Sequence, residues 1–309
     1  MDVRVQVDAA RQASLALPRR DLATLVVTGR DRVSWLNGLL TCDLVKRPDG
    51  EARYGLVVAR NGRVIADATV VVDDEDARAL VVVPAERVET LRTHLDHYLV
   101  MEDAEVAADS DAFEPWMLHG PRSGDVLAAA RAAGAVGGHV DATGLGGAVV
   151  LAPNARAGEV RAAIERAVHD AGGVVGDAGG WEALRLERAV PRFGADFDEK
   201  TYPQEASLEK TAVSFDKGCY LGQEVVCMLE LRGHVKRKLV PVAIDAPTPP
   251  PRGASVTDQD GAPVGEITSS AASPTLGKPI ALAMLKRAVA EPGQRVFVES
   301  VSAEVVERF

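Results

Sequence analysis

Residues 246–251 read Ala-Pro-Thr-Pro-Pro-Pro, a stretch that neither a helix interior nor an interior strand can contain. Proline lacks the amide donor, fixes its own φ and pushes the preceding residue away from helical geometry. The run therefore divides the chain. Beyond it, short apolar runs at 254–256, 263–267, 280–285 and 295–301 alternate with Gly and Pro. That spacing predicts a small all-β barrel or sandwich. The chain is read as an α+β region over 1–240, in two intertwined subdomains, followed by a C-terminal β-barrel over 241–309.

The larger region has few aromatics, 4% of the chain, so its core must be built from Val, Leu, Ile and Ala. Valine-rich runs at 25–27, 54–58, 64–72, 80–83 and 148–151 predict strands. Asn61-Gly62 lies between two of them, and both residues tolerate positive φ, so 54–72 reads as one antiparallel hairpin. Val88, Leu91, Leu95 and Tyr98 follow Pro84 at helical spacing. Val160, Ile164 and Val168 repeat every four residues and run into Gly172-Gly173, a helix stop. Val33, Leu36 and Leu40 mark a shorter helix. Strands joined by hairpins, rather than alternating with helices, favour an α+β fold over a doubly wound parallel sheet.

Charge and motif content exclude several classes. A formal charge of −10 is a poor match to a broad nucleic-acid binder, which needs a basic face. The 3 cysteines are too few for a disulfide framework and point to a reducing compartment. The start of the chain has no signal-peptide core, and no apolar run reaches the ~18–20 residues that span a bilayer. A cytoplasmic protein without membrane or nucleic-acid partners is expected. There is no Walker A sequence, HExxH or CxxC pair, and Gly144, Gly146 and Gly147 do not form a dinucleotide fingerprint. His94 and His97 lie three apart without a third ligand, so no metal site is expected.

The chemistry concentrates in 214–224. There a valine-containing strand is expected to end at Phe215, Gly218 and Gly222 permit a tight turn, and a helix is expected from Gln223. Lys217, Cys219, Gln223 and Glu224 crowd around those glycines, and a turn that only packs has no need of four such groups. A thiol beside a lysine and before a helix start is a candidate reactive group. The plainer reading is an inert cysteine in a tight turn, and no histidine stands near enough in sequence to form a dyad with it. A second constellation, Trp181, Arg185, Glu187 and Arg188 with Pro191, Gly194 and Asp196, offers a carboxylate suited to a ring with adjacent N–H donors.

These segments resemble the YgfZ-type folate-binding proteins, relatives of the aminomethyltransferase (T-protein) of the glycine cleavage system. Lys217-Gly-Cys-Tyr-Leu-Gly-Gln-Glu224 matches the KGCYxGQE signature of the YgfZ type. Agreement extends in order through 29–38, 61–67, 184–187 with Pro191, and 267–280, so it covers nearly the whole chain. The resemblance implies a T-protein-like ring of α+β folate-binding subdomains around a pocket for tetrahydrofolate or a one-carbon derivative, with a small C-terminal β-barrel. It implies a folate-binding accessory role in iron–sulfur cluster assembly or repair, with client or assembly proteins as partners. The alternative is a folate-dependent one-carbon (aminomethyl) transferase or demethylase. By motif match, Glu187 corresponds to the carboxylate that holds the pteridine. Lys217 and Cys219 correspond to signature residues, and Asp67 falls where the T-protein has its catalytic aspartate. Arg185, Tyr220, Gln223, Glu224 and Arg232 are the further expected folate contacts. Two positions depart from the family pattern: Ala189 stands where glycine is frequent, and Cys227-Met228 replaces Ala-Arg.

Overall fold

A computed structural model describes residues 1–107 and 112–307. In chain order the strands are β1 (Leu15–Pro18), β2 (Leu22–Thr28), β3 (Arg53–Val58), β4 (Val64–Asp73), β5 (Arg78–Pro84), β6 (Glu105–Ala107), β7 (Phe113–His119) and β8 (Val136–His139). They continue as β9 (Gly147–Pro153), β10 (Val174–Val175), β11 (Arg237–Ile244), β12 (Ser255–Thr257), β13 (Pro263–Ser273), β14 (Lys278–Lys286), β15 (Arg295–Val298) and β16 (Val301–Val305). The helices are α1 (Val3–Gln12), α2 (Arg32–Asn37), α3 (Val88–His97), α4 (Ser123–Ala132), α5 (Ala157–Asp170), α6 (Ala178–Glu187) and α7 (Gln223–Leu231). None is long and apolar enough to cross a membrane among the described residues.

Three modules result. One five-stranded sheet runs β3-β4-β5-β2-β6, a second runs β10-β1-β7-β9-β8, and β11 to β16 close into a barrel. The 54–72 hairpin forms as β3 and β4, antiparallel and turned at Asn61-Gly62, with Gly62 at φ +76°. On one face of this sheet α2 and α3 cover Leu25, Val27, Val70 and Val81 with Leu36, Leu91 and Leu95. The other face meets the second sheet, where Val71, Leu80 and Val82 pack on Phe113, Val149 and Leu151. The barrel is filled by Val242, Val256, Leu285, Val296 and Val305. It docks on α6 by packing Leu239, Ile280 and Leu282 around Leu186. The sparse aromatics are thus compensated by aliphatic side chains that bury completely.

Several expectations are corrected. No strand ends at Phe215: 201–222 is an irregular segment of turns. Its backbone bonds to other elements instead, with Ser214 N donating to Thr41 O and Leu221 N to Gly38 O. The run 295–301 is two strands, because Glu299 (φ 48°) and Ser300 (φ 75°) adopt left-handed geometry and turn the chain back. The proline run is not a linker either. The first barrel strand, β11, precedes it, so the prolines form a loop between β11 and β12 inside the barrel module.

Candidate functional site

A cavity of about 890 Å³ lies between the three modules. The first sheet contributes Tyr54, Asp67, Thr69 and Val82, and the second contributes Met117 and His139. Trp181 and Arg188 come from α6 and its end, 189–192 continue the wall, and Leu239, Val240 and Leu282 come from the barrel. The lining is largely apolar with a few polar groups, as expected of a pocket for a small organic ligand. A second hollow of about 300 Å³ is lined by Asp21, Glu86, Phe193 and Arg252. Arg19, Leu22, Asp67, Pro84 and Arg192 border both hollows.

Asp67 is the singular group of this wall. Leu56 pairs with Asp67 and Tyr54 with Thr69 in the β3–β4 ladder, so Tyr54 and Asp67 are diagonal neighbours on one face. The Tyr54 hydroxyl donates to Asp67 Oδ2 at 3.1 Å, while Asp67 Oδ1 is shielded from water and has no hydrogen-bond partner. Burial pushes the Asp67 carboxyl up to about 6, against the opposing hydrogen bond from Tyr54. Burial, and then the neighbouring carboxylate, push the Tyr54 phenol well above its usual value. Close by, the Arg19 guanidinium lies 5.3 Å from the Trp181 ring centroid, and Trp181 stacks on His119 at 4.7 Å. Burial, reinforced by Arg19, pulls His119 down to about 3, so this imidazole is neutral. Trp181 Nε1 is buried without an acceptor. Asp67 and Trp181 thus border a largely apolar cavity, which suits a small ligand with an apolar body and a few polar groups.

Of the residues expected as catalytic groups or folate contacts, only Asp67 lines the cavity. Glu187 is fully buried, and both its oxygens are taken. Ser273 Oγ and Thr275 N donate to Oε1, while Thr275 Oγ1 and Arg11 donate to Oε2 at 2.9 and 2.8 Å. Burial raises its pKa, but these hydrogen bonds outweigh that effect and hold the carboxyl below its usual value. Glu187 thus ties α1 and the barrel to α6 rather than facing the cavity. Arg185 is also fully buried, between Glu182 and Asp196 Oδ2 at 2.8 Å, and Asp196 Oδ1 in turn accepts from Thr268.

The signature loop lies outside the cavity wall. Lys217 is buried, and its ammonium donates to Asn37 O, Leu40 O and Cys42 O at 2.6, 2.8 and 2.5 Å. Burial pulls it down to about 8, so it remains protonated at pH 7 and closes three carbonyls at the end of α2. The thiol it acts on electrostatically is that of Cys42, which burial nevertheless raises to about 11. Tyr220 packs with Leu56, Val58 and Phe197. Cys219, Glu224 and Arg232 are exposed, and Gln223 is half-buried at the first turn of α7. Cys227 is half-buried rather than facing the core, since Val226 alone of the α7 residues is buried. No group of three His, Cys, Asp or Glu side chains among the described residues could hold a metal.

Arg19 and Tyr54 are cavity residues that sequence reasoning missed, while Trp181, Arg188 and Pro191 of the second constellation line the cavity without having been assigned a role. Tyr54 was within reach by counting register back from Asn61-Gly62 to Asp67. Trp181 and Arg188 flank the Leu184–Glu187 motif, but nothing in the pattern showed which of its side chains turn inward. Ala189 has φ +53° and lines the cavity, so the glycine frequent at this position has a conformational reason.

Residues 3–136 match the GCVT N-terminal domain family, and residues 237–308 match the glycine cleavage T-protein C-terminal barrel domain. The chain is 28% identical over 314 residues to the aminomethyltransferase of Nostoc sp., covering 94% of this chain and 82% of that one. It is 29% identical over 306 residues to the aminomethyltransferase of Thermotoga maritima, covering 92% and 81%. Its fold resembles that of the glycine cleavage system aminomethyltransferase T from Bartonella henselae with a TM-score of 0.82, at 21% identity, covering 99% of this chain and 88% of that one. With both the N-terminal domain and the terminal barrel in place, the chain belongs to the glycine cleavage T-protein superfamily.

Proposed function

We propose that this protein is a tetrahydrofolate-dependent one-carbon transferase of the aminomethyl-transfer type. The observation that carries the reading is Asp67, a carboxylate bordering both the large cavity and the smaller hollow. Two substrates could then occupy adjoining hollows that share one acid/base group. The folate would supply the amine that receives the one-carbon unit. The apolar wall of Met117, Val82, Leu239 and Leu282 suits its ring, and Trp181 and Asp67 border the same cavity.

Asp67 is mostly ionised at pH 7 but close enough to neutrality to take up a proton and return it. Tyr54 donates to Oδ2, and Oδ1 has no partner within the protein. Arg19 and Arg192 flank both hollows, and Arg19 favours the ionised carboxylate while Glu86 opposes it. The relatives named aminomethyltransferase support this reading over a purely accessory one.

Purified protein incubated with tetrahydrofolate and an aminomethylated lipoyl carrier should release ammonia at a steady rate. Asp67→Asn should stop that release while calorimetry still detects folate. Absence of turnover in the unaltered protein, with folate bound, would sink the transferase.

One observation favours the accessory role in iron–sulfur cluster assembly or repair. Cys219 is presented on the exposed signature loop, outside the cavity wall and available to a partner protein. Folate binding without turnover, together with loss of client-enzyme activity in a Cys219→Ser strain, would favour that role.

A further inference from the structure

Helix α7 reads Gln-Glu-Val-Val-Cys-Met-Leu-Glu-Leu, yet only Val226 on it is buried. It is held to the body on that one side. Val225 and Val226 lie against the Gly62 turn, and Gln204 Nε2 donates to Val226 O at 2.9 Å. On the opposite side, Met228 is 54% and Leu231 80% exposed, the latter among the most exposed large apolar side chains of the protein. At 100° per residue, Glu224, Met228 and Leu231 cluster on the face away from Val226. Arg232 follows at the C-cap. Neither Glu224 nor Arg232 forms an ion pair among the described residues.

The order along this face is acid, apolar, base at four-residue intervals: Glu224, Met228, Arg232. Such a stripe is complementary to itself when reversed. If a second copy of the helix is laid antiparallel about an axis through Met228, each Glu224 meets the Arg232 of the other copy. The two Met228 side chains then meet on the axis, with Leu231 on either flank. A two-fold interface requires this kind of self-complementarity, and antiparallel alignment also sets the two helix dipoles in favourable opposition. An anionic lipid surface or a nucleic acid is a poorer occupant, because Asp216, Glu224 and Glu230 are exposed beside the patch and the net charge is −10.

We infer that α7 is a homodimer interface, in which two copies of this chain pair their Glu224–Met228–Arg232 stripes antiparallel about a two-fold axis. One helix and its flanking residues make a contact at the small end of protein interfaces, so the dimer is weak and forms as concentration rises. The inference does not depend on the folate reading.

Charge reversal tests it on the full-length protein. In sedimentation velocity over a series from low micromolar to near-millimolar, the unaltered protein should shift from monomer to dimer. Glu224→Arg sets Arg against Arg at both ends of the pair, and Arg232→Glu sets Glu against Glu. Each alone should weaken association about tenfold or more. An equimolar mixture of the two variants should recover it, because every mixed pair is again Glu against Arg. Both residues are exposed, so the fold is not at risk, and circular dichroism checks it. Charges that only complement their own helix dipole would give no recovery on mixing. A protein that stays monomeric throughout, an association unmoved by either reversal, or a mixture that fails to recover would each overturn the inference.

Discussion

Tyr54 and Asp67 are held side by side across the β3–β4 ladder, the phenol donating to the carboxylate at 3.1 Å on the cavity wall. A hydrogen bond to the ionised form lowers a carboxyl pKa, yet burial wins and Asp67 rests at about 6. The protein therefore holds this acid against a stability penalty, a common trade at reactive sites.

The penalty has a sign that can be measured. Asp67 has a folded pKa of about 6 against a usual 3.8, so between those values the folded state binds more protons than the unfolded one. Its contribution to stability is greatest below about pH 4 and falls as pH rises through 6, by up to about 3 kcal/mol. Asp67→Asn removes the titration. Chemical denaturation should find the variant more stable than the parent at pH 7 and closer to it at pH 4. A variant less stable than the parent at pH 7 would show that the ionised carboxylate is not strained.

Glu187 has the opposite character. Its pKa lies below the usual 4.5, so its contribution to stability is present at neutral pH and is lost as the solution is acidified below that value. Glu187→Ala would leave Ser273, Thr275 and the Arg11 guanidinium without their acceptor, at a cost of about 3 kcal/mol. The loss should appear as a lower denaturation midpoint at pH 7, with folate affinity by calorimetry little changed. A large loss of affinity with an unchanged midpoint would return Glu187 to the pocket.

Lys217 closes three carbonyls of a segment about 175 residues earlier in the chain, the Lys217–Cys42 separation being 175. Lys217→Met keeps the aliphatic stem but leaves those carbonyls unpartnered, each at about 1–3 kcal/mol if no water replaces the ammonium. Limited proteolysis should then cut 214–222 sooner than in the parent. Equal resistance would mean that the loop is held by its backbone bonds, Ser214 N to Thr41 O and Leu221 N to Gly38 O.

The hairpin at Asn61-Gly62, the helix around Leu91 and Leu95, and the barrel strands were legible because each is set by local period or turn chemistry. The second half of the 295–301 run was not, since Glu299 and Ser300 turn without a glycine. The signature loop misled for a different reason. The density of polar groups at 217–224 suggested one chemical site, whereas long-range packing draws Lys217 and Tyr220 inward and leaves Cys219 and Glu224 outside. No one-dimensional spacing distinguishes a lysine that faces a ligand from one that closes the carbonyls of a remote helix. Asp67 was found only by motif; its partner Tyr54 needed register.

The three cysteines occupy three different environments, so their order of alkylation is fixed by the fold. Cys42 is 5% exposed, and burial lifts its thiol to about 11, so both access and ionisation protect it at neutral pH. Cys227 is half-buried on α7, and burial followed by Glu230 raises its thiol as well. Cys219 is exposed on the signature loop and is the most accessible of the three. Brief treatment with limiting iodoacetamide at pH 7, followed by peptide mass spectrometry, should find label first on Cys219, then on Cys227, and on Cys42 only after denaturation. The dimer contact adds a further expectation. Cys227 shares its helix with Met228 and should label more slowly at concentrations where the α7 pair forms, and Arg232→Glu should remove that dependence. Early labelling of Cys42 would mean that the Lys217 cage opens on the timescale of the reaction, and the buried ammonium would then be part of a mobile loop rather than its anchor.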